Sequence, residues 1–352
     1  MPSSTHSSTA CSSPSNDTVE KVLKNDTVRY VRKGYGIILA GLITISFFFL
    51  LPSLIKNYLW EHILSIGDKN YIYGSTVYGV HEIMFITSNL MMWFIYTQKI
   101  PFFENYRINP NKKWPWEENS EQWKVILRRS LKSILIAHLI IIPLAILLDI
   151  NVGVVVRTSL EEFPETWEII SHITFFMFVE DFCFYWVHRL LHQKSLYPYI
   201  HKIHHEYNNP IGISAEYAHP LEFFIANIVP TSMGVKMLGS GVHLATYLLW
   251  GTLRIFETID GHCGYEFSWS PYRLLPLSGS ANYHNYHHTH NVGNYGSFFM
   301  IWDVLMGTNK SYFSFLSKKE KDVALNIMRE EWTKTKEKKN SNEEAMEKEK
   351  VT

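Results

Sequence analysis

The sequence predicts an all-α, polytopic membrane protein: about four transmembrane helices with a cytosolic helical cap that holds a histidine-rich dinuclear metal site. Three observations predict this. Apolar stretches of bilayer length recur through the first half of the chain. Nothing in the periodicity supports an all-β or doubly wound arrangement. And 12 of the 17 histidines crowd between His188 and His290.

Taken in order, residues 1–28 are rich in Ser, Thr and Asn and poor in apolar side chains, so residues 1–33 read as a disordered cytosolic N-terminus. The first apolar run begins near residue 35 behind Lys24, Arg29, Arg32 and Lys33, so no signal peptide is expected. Residues 34–55 carry no charge and are long enough to cross a bilayer. A second span is expected over 75–96, broken by His81 and Glu82, which must face protein or the interface because ionisable groups at that depth are costly. A third is expected over 131–149. A fourth, less apolar, is expected over 168–187; it contains Glu180 and Asp181 and runs into His188. Residues 34–187 thus form the transmembrane region.

Basic residues set the expected orientation. Five Lys/Arg lie in 21–33 and seven in 97–129, against two in 56–74 and only Arg157 in 150–167. The N-terminus is then cytosolic, and four crossings return the chain to the cytosol before the first histidine cluster. Residues 188–316 read as a histidine-rich catalytic domain, with an apolar hairpin at 221–256 interrupted by Pro230 and by Gly239-Ser-Gly241. That hairpin must cross the membrane twice or not at all if all the histidines share one site. Residues 317–352 read as a charged cytosolic tail, with a surface helix over 318–333. Its end, Lys348-Glu-Lys350-Val-Thr, resembles the dilysine retrieval signal of endoplasmic reticulum membrane proteins.

Composition excludes some classes. Net charge is zero, and no basic patch with interleaved aromatics points to nucleic acid. Aromatics make up 15% of the chain, which suits contact with lipid or a bulky apolar ligand. The three cysteines (Cys11, Cys183 and Cys263) are too few and too scattered for a disulfide framework.

The histidines carry the chemistry. They form His188-Arg-Leu-Leu-His192, His201-Lys-Ile-His204-His205 and His284-Asn-Tyr-His287-His288. On a helix, positions i, i+3 and i+4 share one face, so each group can aim its imidazoles the same way. Eight imidazoles are too many for one ion; two ions with about four nitrogens each is the natural count. All-imidazole donors disfavour Mg and Ca, which take oxygen ligands, and favour iron, with zinc as the competitor.

These clusters resemble the fatty acid hydroxylase/sterol desaturase superfamily of membrane di-iron enzymes. More narrowly, Ala215-Glu-Tyr-Ala-His219-Pro-Leu-Glu222, Arg254-Ile-Phe-Glu257-Thr-Ile-Asp260-Gly-His262 and the run Asn291-Val-Gly-Asn294-Tyr-Gly after the last cluster resemble the 4-methylsterol monooxygenases. The resemblance covers roughly residues 75–310. It implies that His188, His192, His201, His204, His205, His284, His287 and His288 hold two Fe ions, with His219 and His262 completing the set. Carboxylates are expected to support the ligating imidazoles. Asp181, two helical turns before His188, is the first candidate and Glu257 another, with Glu216, Glu222 and Asp260 beside them; the alternative for each is an ordinary ion pair or helix cap.

The implied reaction uses O2 as co-substrate to oxidise a sterol 4-methyl group to alcohol, aldehyde and carboxylate. Later enzymes of sterol demethylation would remove the carbon. No nucleotide-binding Gly-rich motif and no fused haem motif is visible, so electrons are expected from NADH through a separate cytochrome b5 and its reductase. Two alternatives stay open: a sterol desaturase or lipid hydroxylase of the same superfamily, and a non-enzymatic membrane metal-binding protein.

Overall fold

A computed structural model describes residues 16–153 and 156–349. The described residues are almost entirely helical, with no strands and only three isolated bridging pairs. The main helices are α1 (Asn16–Ile45), α2 (Lys69–Gln98), α3 (Ser120–Ile136), α4 (Ile142–Asn151), α5 (Thr166–Leu191), α6 (Val229–Leu238), α7 (Leu244–His262), α8 (Ala281–His290), α9 (Ile301–Met306) and α10 (Lys310–Glu349). Tyr35–Tyr312 form one compact unit, which contains both histidine groups and the cavities; the described parts of residues 1–34 and 313–352 form another.

Among the described residues, four helical stretches are long and apolar enough to cross a membrane: Val31–Ser65, Ser120–Asn151, Thr166–Leu191 and Pro220–Gly241. The number matches expectation; the membership differs. The stretch 75–96 is helical within α2 but is not among the four, because Ser75, Thr76, His81, Glu82, Thr87, Ser88 and Asn89 dilute its apolar face. Pro220–Gly241, expected as one arm of a hairpin, takes its place. Large apolar side chains such as Ile38, Leu42, Leu139 and Leu144 stand exposed on these helices. A water-soluble surface rarely tolerates so much contiguous apolar area, and a lipid-facing one requires it.

Two expectations at the ends are corrected. Helix runs from Asn16 rather than beginning after a disordered segment, since an existing helix propagates cheaply into Val19, Val22 and Leu23; residues 1–15 lie outside the described residues. The charged tail is helical to Glu349, well past residue 333, and Lys350 to Thr352 lie outside the described residues.

Local chemistry fixes the helices that carry the site. Asp68 caps α2 by accepting from the Asn70 and Tyr71 N–H groups. Ser280 caps α8 through the Tyr283 N–H, and α8 ends at Asn291 in left-handed backbone (φ 54°). One core cluster packs α5, α6 and α7 around Ile173, Phe176, Trp250 and Phe298. A second packs α2 against Trp114, Ile211 and Tyr265. α5 and α6 approach so closely that a Cβ on Gly234 would lie 2.7 Å from the Phe176 ring and 3.1 Å from its Cα. Gly234→Val should therefore destabilise the protein by about 1–3 kcal/mol, read as a lower melting temperature in detergent. Gly79→Ala, which meets open space on α2, should not lower it.

Candidate metal centre

Two groups of imidazoles converge. His188, His192, His201, His205 and His287 form the first, and His204, His262, His284 and His288 the second; within each group one nitrogen per residue lies within 4.8 Å of all the others. The first is built from the end of α5, the turns after it and α8; the second from the same turns, the last residue of α7 and α8. Nine of the ten histidines expected as ligands are thus brought together.

The partition differs from one helical face per group. His201 to His205 lie on irregular turns and a short 3-10 segment, not on an α-helix. Each His-x-x-His-His motif also serves both groups. Its first and last histidines, His201 with His205 and His284 with His288, share a group, while the middle ones, His204 and His287, join the other. The motif is a bridge between two centres. The count is five and four nitrogens rather than four and four.

His219 belongs to neither group. It is the N-cap of the Pro220–Glu222 turn, where its Nδ1 accepts the Leu221 N–H at 3.2 Å. The expectation that it completes the ligand set is corrected: Pro220 starts a helix here, and the capping side chain is committed to backbone.

Six of the nine imidazoles use Nδ1 outward. His188 bonds the Tyr295 carbonyl at 2.9 Å, His204 the Tyr217 carbonyl at 3.1 Å and His262 the Thr258 carbonyl at 2.7 Å. His287 bonds the Gly293 carbonyl at 2.6 Å, His288 the Tyr207 carbonyl at 3.1 Å and His201 the Glu222 carboxylate at 2.6 Å. A carbonyl only accepts, so the five Nδ1 atoms that meet carbonyls carry the proton and a neutral ring leaves their Nε2 bare. Burial, which penalises the imidazolium, holds His204 down at about 4 and His192 at about 2, and lowers His201, His205, His284, His287 and His288 as well. Neutral rings with bare Nε2 atoms are the ligating form.

The Nε2 atoms face one another. His204 and His262 bring Nε2 atoms to 3.3 Å although the proton of each is spent on a carbonyl. His284 and His262 stand at 3.0 Å, His288 and His284 at 3.1 Å, His192 and His287 at 3.1 Å, and His205 and His201 at 3.1 Å. The His188 Nε2 is buried with no hydrogen-bond partner. Adjacent nitrogens on one ion, each about 2.0–2.1 Å from it, stand roughly 3.0–3.4 Å apart. The donor set therefore fits one transition-metal ion per group, and imidazole suits iron or zinc.

The expected carboxylates act elsewhere. Asp181 is fully buried and accepts the Ser297 and Phe299 N–H groups, both at 3.0 Å. It touches no histidine. It anchors the loop whose Tyr295 carbonyl orients His188, so its influence passes through backbone. Glu257 binds Arg254 Nη1 at 2.7 Å and lines a pocket with His262 and His284. Asp260 pairs with Arg273, and Glu222 alone supports a ligand directly. Left-handed backbone at Asn291, Gly293 and Asn294 turns the loop so that its carbonyls meet His287 and His188. At Gly293 a Cβ would sit 2.0 Å from the Thr308 carbonyl oxygen.

The sequence reading missed one polar group. His138, alone in an apolar run, joins His81, Glu82 and Glu216 in a partly buried ring. Burial alone would raise the Glu216 carboxyl; the His81 and His138 partners outweigh it and hold it at about 2. The available signal was the ionisable residue inside a span.

Comparisons with known proteins match this geometry. The family described as fatty acid hydroxylase matches residues 173–308, which contain both imidazole groups. A C-4 methylsterol oxidase of Schizosaccharomyces pombe is 35% identical over 249 residues, covering 70% of this chain and 80% of that one. The chain belongs to the fatty acid hydroxylase family. Methylsterol monooxygenase 2-2 of Arabidopsis thaliana is 37% identical over 245 residues, 68% of this chain and 87% of the other. The very-long-chain aldehyde decarbonylase GL1-8 of Oryza sativa subsp. japonica is 33% identical over 267 residues, 75% of this chain and 94% of the other. No solved structure is a significant match. The relatives include oxidoreductases of the sterol-oxidase type, and this family member is all-helical with two histidine groups fit for metal.

Two outcomes follow for the fatty acid hydroxylase centre. His287→Ala and His288→Ala should each halve the metal bound per chain, measured by elemental analysis, because they belong to different groups. Glu222→Gln should weaken metal affinity about 10–100-fold in a chelator competition, since it frees His201 to rotate.

Proposed function

We propose that this chain is a membrane di-iron monooxygenase that oxidises the 4-methyl group of 4-methylsterols. The observation that carries this reading is an apolar cavity that meets the second imidazole group. The cavity itself holds about 120 Å³ and opens outward, so it would seat one end of a lipid rather than the whole molecule. Its lining follows α7 from Tyr247 to Thr258, about 16 Å along the helix. Its wall shares Arg254 and Thr258 with the pocket that contains Glu257, His262 and His284.

Two iron ions, bound by His188, His192, His201, His205 and His287 and by His204, His262, His284 and His288, would supply dioxygen activation. The chain does the rest. An unactivated methyl group has no acidic proton, so no side chain here removes one unaided. Ile142, Ile146, Phe223, Leu248 and Ile255 keep the substrate dry and aligned. Thr258 fixes the His262 tautomer, and Tyr217 fixes that of His204, so the imidazoles nearest the cavity keep Nε2 inward. Repeated oxidation takes the methyl to alcohol, aldehyde and carboxylate, which a later enzyme removes as carbon dioxide.

The two electrons per oxidation come from outside the chain. NADH through cytochrome b5 and its reductase is the proposed donor, acting at the cytosolic face of the endoplasmic reticulum membrane. The Lys/Arg bias of 21–33 and 97–129 and the resemblance of Lys348-Glu-Lys350-Val-Thr to a dilysine signal support that placement.

A second reading rests on the rice relatives: a long-chain aldehyde as substrate on the same metal ligands. One assay separates them. Purified chain in nanodiscs receives ferrous iron, NADH, cytochrome b5 and its reductase, with either a 4,4-dimethylsterol or a very-long-chain aldehyde. Dioxygen-dependent 4-hydroxymethyl, formyl or carboxyl products by mass spectrometry support the sterol reading; hydrocarbon from the aldehyde with no sterol product overturns it. His204→Ala or His288→Ala should abolish turnover while the chain still inserts in the membrane. Full activity in either variant would sink the ligand assignment.

A further inference from the structure

The ring of His81, Glu82, His138 and Glu216 beside the cavity, its first two members half-buried and its last two buried, has no part in either imidazole group. His138 meets Glu82 Oε2 through Nδ1 at 3.0 Å and Glu216 Oε2 through Nε2 at 2.7 Å. His81 meets Glu82 Oε1 through Nδ1 at 3.2 Å and Glu216 Oε1 through Nε2 at 3.4 Å. Both nitrogens of both imidazoles thus face carboxylate oxygens. A metal ion takes one nitrogen from each imidazole; a closed ring of this kind is held by protons instead. It fixes the Glu216 carboxylate rigidly in the cavity wall while leaving acceptor capacity, since each oxygen has a single partner and one contact is long.

Arg254 lines the same cavity and attracts Glu216 electrostatically. Its Nε donates to Glu180 at 2.8 Å and its Nη1 to Glu257 at 2.7 Å. Its Nη2 has no hydrogen-bond partner among the described residues. The cavity therefore offers a fixed acceptor and an unspent donor in a largely apolar wall, whose other polar side chains include Asp149, Asn227, Thr231, Ser232 and Tyr247. Arg254, unlike these five, also lines the pocket of His262 and His284. An anionic ligand would meet Glu216 and a cationic one Arg254. The group that satisfies both is neutral and both donates and accepts: a hydroxyl.

We propose that Glu216 and Arg254 form a recognition site for the hydroxyl of a rigid polycyclic alcohol, which donates to the Glu216 carboxylate and accepts from Arg254 Nη2. Thr258, one helical turn past Arg254, passes its carbonyl to His262. A hydroxyl held here directs the carbon next to the hydroxyl-bearing carbon toward the second imidazole group. In a sterol with a 3-hydroxyl the neighbours are carbons 2 and 4, and in a 4-methylsterol carbon 4 carries the methyl group. This site rests on the sterol reading and deepens it, because it selects the lipid class and limits the reacting position to the carbons beside the hydroxyl. A long-chain aldehyde has no hydroxyl to offer it.

The test is equilibrium binding to the full chain in nanodiscs after metal removal, so that it does not depend on turnover. The probes are labelled 4,4-dimethylcholestan-3β-ol and its 3-deoxy counterpart. The hydroxyl probe should bind about tenfold tighter, the size expected for a hydrogen bond to a charged group. Glu216→Gln and Arg254→Lys should each bring the two affinities together by weakening the hydroxyl probe alone. If either variant fails to fold, the comparison on the unaltered chain decides: equal affinities overturn the site. Preference for the hydroxyl probe that neither folded variant reduces also overturns it. Selective binding without methyl oxidation would keep the site and retire the reaction; methyl oxidation of both probes alike would keep the reaction and retire the site.

Discussion

Two bare imidazole nitrogens held 3.3 Å apart repel each other unless a cation lies between them. His204 and His262 stand in that relation because each has given its proton to a backbone carbonyl. Much of the surrounding structure serves to keep it so. Carbonyls of Tyr207, Tyr217, Gly293 and Tyr295 come from irregular segments, which alone can aim a carbonyl sideways. Asp181 and Asp303 hold the last of these segments, the first through the Ser297 and Phe299 N–H groups and the second through those of Tyr295 and Gly296. Buried carboxylates on α5 and α9 are the indirect supports of the ligands.

Spacing made the histidine groups legible in the sequence, because few chemistries other than metal binding place so many imidazoles so regularly. Helical arithmetic did not reveal their partition. It placed His201, His204 and His205 on one face, whereas the chain there follows tight turns, and the middle histidine of each motif crosses to the other centre. His219 carried the right residue type in a matching motif, yet Pro220 made it a cap. Asp181 sits two turns before His188, but tertiary contact with Ser297 and Phe299 claimed its oxygens. The helices were legible from apolar runs. Which of them are apolar enough to cross was not, since α2 carries buried polar groups whose partners lie far along the chain.

Relatives of similar identity to this chain are named for sterol and for aldehyde chemistry. The ligands alone therefore do not define a substrate. Discrimination has to come from the cavity wall, where Arg254 joins α7 to Glu180 on α5 and to the pocket beside His284. A single guanidinium there touches packing, cavity and metal surroundings at once. Truncating it would leave the Glu180 carboxylate buried without its partner, a costly state.

The groups that hold one another in register are spread from His188 to Asp303, and no ligand set lies within one contiguous segment. During synthesis the first histidines emerge more than a hundred residues before the aspartate that steadies their loop. Until then they are loose donors, open to whichever metal is abundant. Both donor sets are accordingly complete only once the chain is nearly finished, so a metal ion would meet its full set of imidazoles late in synthesis.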